Sequence, residues 1–161
     1  MGKFSRVKIA GRWVDAPRWA LDLPFEVRPS RGFRTTAWAL WKPTLTLLAR
    51  AAKAERRRLE WVRIHDHLGT RREPRHPFGW VITETGEMFL CSYDKGTALH
   101  ELAHLITGDA HGDAWARRCF ELHRRYLSAR AVRQADLEVT RYLSGRREWR
   151  GRFGVRPERQ P

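Results

Sequence analysis

The stretch His100-Glu101-Leu102-Ala103-His104, with Gly108-Asp109-Ala110-His111 soon after, constrains this chain more than any other. It spells H-E-x-x-H and, after six further residues, a third histidine. On a helix, residues i and i+4 lie one above the other, so His100 and His104 present their imidazoles on one face. Leu99, Leu102, Ala103 and Ile106 give the same helix an apolar face to bury. Two imidazoles so placed hold a divalent metal, and Zn²⁺, at about 2.0–2.1 Å from nitrogen, is the usual occupant. Glu101, next round the helix, falls beside the open position of such a metal, where it can accept a proton from a bound water. Gly108, Asp109 and Gly112 are turn and cap residues that let the chain reverse and bring in His111 as a third ligand. Three protein ligands and one open position make the catalytic form of a zinc site; structural sites close all four.

Length and charge narrow the class. A chain of 161 residues is one domain and can bury a real core. No apolar run is long enough to cross a membrane, and the N-terminus lacks the apolar stretch of a signal peptide. Cys91 and Cys119 are far apart, with no C-x-x-C pair, and suit small buried positions in a reducing compartment. A cytoplasmic, intracellular protein is expected. Lys and Arg total 32 against 18 Asp and Glu, a net charge of +14. Such an excess favours contact with nucleic acid or another polyanion, although charge alone names no partner.

Along the chain, residues 1–34 read as a basic, irregular arm, with Pro17, Pro24 and Pro29 as breakers and Trp13, Trp19 and Phe25 among the charges. Pro43 suits a first helical turn, so a helix is predicted from near Lys42 to Glu60, with Leu45, Leu48, Ala52 and Leu59 on one side. Trp61 to His65 alternates like a half-buried strand. His65 and His67 form an H-x-H pair without further ligands at sensible spacing and read as structural. Residues 69–77 read as a charged loop suited to substrate contact. Phe78–Thr83 and Met88–Cys91, joined by Glu84-Thr85-Gly86-Glu87, give a hairpin that leads into the H-E-x-x-H helix. Its strands could pair edgewise with an extended peptide. A second helix, from Gly112 to about Ser128, repeats Trp115, Cys119, Leu122 and Tyr126 as core. Asp109 and Asp113 are equal candidates for the acceptor that orients a ligand imidazole. His123 is more simply a hydrogen-bonded core histidine. A third helix covers Ala131–Leu143 with Gly145 as its stop, and residues 146–161 read as a flexible basic tail able to contact nucleic acid.

A helix, a small sheet whose hairpin enters an H-E-x-x-H helix, a third histidine, then Gly112 and Trp115: this order resembles the small zincin metallopeptidases. The matching residues are Leu99-His100-Glu101-Leu102-Ala103-His104 and His111-Gly112-Asp113-Ala114-Trp115. The resemblance is to the SprT-like and WLM-type proteins and the related small, minigluzincin-like metal-dependent hydrolases of actinobacteria and their phages. It covers roughly residues 36–128. It implies an α+β fold with an N-terminal helix, a small antiparallel sheet with a hairpin, and the H-E-x-x-H helix followed by two more helices, over 35–145. It also implies His100, His104 and His111 as zinc ligands and Glu101 as general base. The four-Cys ribbon that many SprT-like proteins carry is missing here. The metzincin motif H-E-x-x-H-x-x-G-x-x-H is one residue shorter between its last two histidines, which sets that group aside.

The expected activity is therefore zinc-dependent peptide hydrolysis, on a polypeptide substrate that the basic arms would favour being associated with nucleic acid. A metal-dependent ribonuclease is the alternative, although those with three such histidines lack the glutamate after the first. A non-catalytic, zinc-stabilised nucleic-acid-binding or assembly protein is the other. Tyr93, His65 and His67 stay open as donors to an oxyanion.

Overall fold

The computed structural model describes residues 4–65 and 79–153, with side chains of the last helix described as far as residue 144. His67, the loop 69–77, Phe78, and the side chains and end of the basic tail lie outside the described residues.

The N-terminal stretch is regular, which corrects its reading as an irregular arm. Strands β1 (Phe4–Ile9) and β2 (Arg12–Pro17) form an antiparallel hairpin with Ile9 opposite Arg12. Its two-residue turn, Ala10 and Gly11, has positive φ at both positions (46° and 82°), the geometry that suits the twist of a tight hairpin. Ala-Gly is a weaker sequence signal for that turn than Asn-Gly, and the basic residues between the apolar ones mask the alternation. A single helical turn, α1 (Arg18–Leu21), leads to β3 (Glu26–Pro29). Pro17 and Pro29 close their strands rather than break them.

Helix α2 (Trp38–Ala54) begins earlier than predicted, after a 3₁₀ turn at Thr35–Ala37, and keeps Pro43 inside. An interior proline costs about 3 kcal/mol. Trp38 and Trp41, both essentially fully buried in the turns around it, offset that at about 1.5–3 kcal/mol for each large side chain buried. Their indole N–H groups are also satisfied: Trp38 Nε1 donates to the Asp15 carbonyl at 3.0 Å and Trp41 Nε1 to that of His65 at 3.2 Å. Leu45, Leu48, Ala52 and Leu59 are all buried, as their spacing predicts.

After α2 come β4 (Trp61–Ile64), β5 (Gly79–Ile82) and β6 (Glu87–Leu90). The sheet order is β3-β4-β6-β5. The β5–β6 hairpin is antiparallel as expected, but β3 pairs parallel to β4 and β4 parallel to β6. The sheet is therefore mixed, not purely antiparallel, because α2 serves as the crossover that parallel neighbours β3 and β4 need. Val27, Val62, Ile64, Met88 and Leu90 are buried in one core with Leu45 and Leu48 of α2.

Helix α3 (Lys95–Thr107) carries the H-E-x-x-H motif. Asp94 caps its start, accepting from the Thr97 N–H at 2.8 Å, and Gly108 closes it in the left-handed conformation. Leu99, Leu102 and Ala103 are fully buried, with Leu45, Leu48 and Leu90 in the same core. Helix α4 (Asp113–Tyr126) follows. Helix α5 (Ala129–Phe153) is longer than predicted: it passes through Gly145, so the start of the supposed tail is helical. The fold is thus a small α+β domain. Among the described residues no helix is long and apolar enough to cross a membrane.

Gly86 holds the β5–β6 turn at φ 71°, and a Cβ there would meet the Arg58 carbonyl oxygen at 2.7 Å. Gly86→Ala is expected to destabilise the domain by about 1–3 kcal/mol, read as a lower urea midpoint at unchanged slope. An unchanged midpoint would mean that this turn does not constrain the sheet.

Candidate metal centre

Two elements bring the predicted residues together. Helix α3 supplies His100 and His104, one turn apart and half-buried, while Glu101 turns towards the interior and is 4% exposed. The reversal after Gly108 supplies His111, which itself sits at φ 62°. That left-handed backbone is uncommon for a residue with a side chain and costs on the order of 1–3 kcal/mol, sustained by the packing around it.

The ring nitrogens converge. His100 Nε2 and His111 Nε2 are 3.0 Å apart, His104 Nε2 and His111 Nε2 3.2 Å, and His104 Nε2 and His100 Nε2 3.3 Å. One proton can bridge one of these pairs, but it leaves the third nitrogen facing lone pairs. A cation between the three resolves the arrangement. Nitrogens bound to one tetrahedral zinc at about 2.0–2.1 Å are about 3.3 Å apart, so the triangle fits such an ion. These three form the one group of His, Cys, Asp or Glu able to hold a metal among the described residues.

The support of the rings explains their aim. His104 Nδ1 lies 2.6 Å from the Asp109 carbonyl oxygen. A carbonyl only accepts, so Nδ1 carries the proton and Nε2 keeps its lone pair for a metal. The acceptor is thus the backbone of Asp109 rather than the carboxylate of Asp109 or Asp113. The Asp109 carboxylate instead accepts from the Trp115 N–H at 3.2 Å, at the start of α4. A Cβ on Gly112 would lie 2.1 Å from that carboxylate, so the turn requires glycine there. Trp115, predicted as core, is fully buried and also floors the site. Its ring stacks on His104 (centroids 5.2 Å apart, planes at 15°) and meets His100 and His111 edge-on at 4.7 and 4.5 Å. Its Nε1 donates to the His100 carbonyl at 3.4 Å.

Tyr142 of α5 is the residue that sequence reasoning did not select. Its ring stacks on His111 at 4.4 Å and 9°. Together with Glu138, one turn earlier, it closes one wall of a cavity of about 420 Å³ around the three histidines. Tyrosine at helical spacing is an ordinary core signal, and only the return of α5 over the site distinguishes it. Tyr93, by contrast, packs edge-on against Trp41 and its carbonyl accepts from Thr44, and neither Tyr93 nor His65 lines this cavity. His123 pairs with Asp136 at 2.9 Å between α4 and α5, away from the cavity lining.

The opposite wall is β5. A Cβ on Gly79 would lie 2.9 Å from Glu101 Cγ and 3.0 Å from its Oε1, so a bare backbone at this point is what leaves room for the carboxylate. Glu101 Oε1 lies 3.9 Å from His100 Nε2. Burial pushes the Glu101 carboxyl up to about 8 in the metal-free protein. Burial, then the neighbouring His104 and His111, pushes His100 down to about 3, and burial also lowers His104. All three effects favour neutral groups until a cation arrives, when the sign of the local field reverses.

This makes the stability of the metal-free protein depend on pH. The unfolded Glu101 carboxyl ionises near 4.5 and the folded one near 8, so stability declines as pH rises through that interval. Glu101→Gln has no proton to lose there, while the histidines act alike in both proteins. The chelated Glu101→Gln variant is expected to gain on chelated wild type by on the order of a few kcal/mol between about pH 5 and pH 8. Denaturant unfolding at both pH values checks this; a constant difference would show that Glu101 is not held neutral.

No family model matches the chain, and no curated protein matches it. Two crystal structures of Wss1 from Saccharomyces cerevisiae, one of them a mutant, are similar in fold, each with a TM-score of 0.50 and 18% sequence identity. Each comparison covers 64% of this chain, and 90% of the mutant and 88% of the other Wss1 chain. At that identity the likeness is one of fold alone.

Proposed function

We propose that the protein is a zinc-dependent peptidase with His100, His104 and His111 as metal ligands and Glu101 as general base. The observation that carries this reading is the buried Glu101 carboxylate beside the convergent nitrogens, 3.9 Å from His100 Nε2. A site that only stabilised the fold would need a fourth ligand and no such carboxylate. Zinc bound there supplies Lewis acidity, lowering the pKa of a water from 15.7 to about 7 and polarising a carbonyl.

The chain's own residues do the rest. Glu101 accepts the proton of the attacking water and returns it to the leaving amine. The bare backbone of Gly79 lets the carboxylate lie against β5, so the base is held between strand and ligand. β5 is the terminal strand of the sheet, with one edge unpaired among the described residues. An extended peptide added to that edge would pass along the cavity wall, the alignment that edge pairing gives. Tyr142, which stacks on His111 and lines the cavity where Tyr93 and His65 do not, serves as the donor to a developing oxyanion in this reading. The net charge of +14 supports substrates that are polypeptides associated with nucleic acid.

Glu101→Gln preserves shape and hydrogen-bonding capacity but cannot take up a proton. It is expected to retain one equivalent of zinc while losing about 10²–10⁴-fold in peptide hydrolysis, measured on unfolded casein and on a DNA-binding protein with and without DNA. Zinc-loaded Glu101→Gln with full turnover would rule out this mechanism.

A further inference from the structure

Strands β1 and β3 turn their edges towards a cleft of about 450 Å³ that shares no lining residue with the histidine cavity. Successive residues line it: Val7, Lys8 and Ile9 from β1, and Phe25, Glu26 and Val27 from β3. Side chains of successive strand residues point to opposite faces, so a cleft that meets all of them meets each strand edge-on. The two strands belong to separate sheets, and no backbone hydrogen bond joins them among the described residues. Trp38 and Leu59, both buried in the core, add apolar walls.

What each edge offers follows from the pairing on its other side. In a hairpin closed by two residues, Ile9 and Arg12 exchange both backbone hydrogen bonds, as do Val7 and Val14. Lys8, between them, turns its N–H and carbonyl to the free edge. On β3, the Glu26 N–H donates to the Glu60 carbonyl at 3.3 Å and the Ser30 N–H to that of Ile64 at 2.8 Å. Alternate residues thus face β4, and Val27 turns its N–H and carbonyl the other way. Pro29, in the same phase as Val27, shows where that edge points: its carbonyl accepts from Arg12 of the hairpin at 3.1 Å. Val27 is 3% exposed, so water reaches its two free backbone groups little, and such groups are costly to leave unpaired. Charge at the rim is one-sided. Glu26 is held by Arg28 at 2.5 Å and Glu60 by Arg58 at 3.0 Å, whereas exposed Lys8 forms no ion pair among the described residues.

We propose that this cleft takes an extended segment of a partner polypeptide, added as a strand between β1 and β3. Its backbone pairs with Lys8 on one side and with Val27 on the other, which joins the two sheets into one. Its inward side chains meet the apolar walls, and an acidic side chain lies beside Lys8. The segment is therefore apolar at alternate positions and carries Asp or Glu next to them. A peptide supplies donors and acceptors at strand spacing, which a lipid chain or an inorganic anion does not. Binding here is independent of peptide hydrolysis.

The test selects displayed random seven-residue peptides on the Glu101→Gln protein and measures the enriched peptides one by one. Sequences with alternating apolar residues and an acidic neighbour are expected. At about 100 times Kd, they should slow amide exchange at Lys8 and Val27 by about 100-fold. Lys8→Pro removes one edge donor without touching the β1–β2 ladder, and should weaken these peptides about 5- to 100-fold. Lys8→Ala, which keeps the N–H and loses only an exposed charge, should weaken them by no more than about 5-fold. Val7→Phe, which fills the cleft from a half-buried position, replaces the proline variant if that one unfolds. Zinc content should be the same throughout. Peptides held instead at the free edge of β5 would bind Lys8→Pro as they bind the parent. That result overturns the proposal, as does a selection that enriches no peptide, or exchange at Lys8 and Val27 that the peptides leave unchanged.

Discussion

Three imidazole nitrogens within 3.0–3.3 Å of one another cannot satisfy each other, and the surrounding structure keeps them there. Trp115 floors all three rings, the Asp109 carbonyl fixes the proton on His104, and Tyr142 stacks against His111. The turn that presents His111 adopts left-handed backbone at Gly108 and at His111 itself, and it accepts Asp109 against Gly112 only because that residue lacks a side chain. A site so constrained, with donors aimed at one point, is organised before a metal binds. Preorganisation of this kind lowers the cost of binding at the site.

The rest of the fold places two walls around that point. The sheet and α2 bury the apolar side of α3, which fixes which residues face outward. Hairpin β5–β6 then brings Gly79 against Glu101, and α5 returns over the opposite side with Glu138 and Tyr142. The position of Glu101 costs desolvation, visible as a carboxyl pushed up to about 8, and a dication is what reverses that cost. The sheet's other face carries Arg28, Arg63, Phe89 and Trp80 side by side, one from each strand.

Much of this is legible in the residues themselves. The i, i+4 histidines, the buried face of α3 and the Gly108 stop are local features, and local features leave a mark in sequence. The β5–β6 hairpin is equally plain because Gly86 separates two apolar runs. The features that sequence conceals depend on residues distant along the chain. β1–β3 are hidden among basic residues and prolines, and the parallel pairing of β3 with β4 follows from α2 acting as a crossover. Trp115 and Tyr142 look like core residues by spacing, and nothing in their own neighbourhoods shows that they also stack on the histidines. The Asp109 carboxylate and carbonyl do separate jobs, a division that residue identity does not encode.

The most direct measurement is X-ray absorption at the zinc edge of protein loaded with one equivalent of metal. Three imidazole nitrogens and one light oxygen donor are expected at about 2.0–2.1 Å, with one nitrogen lost in His111→Ala. A spectrum showing a sulfur ligand at about 2.3 Å, or an unchanged spectrum in that variant, would contradict this coordination.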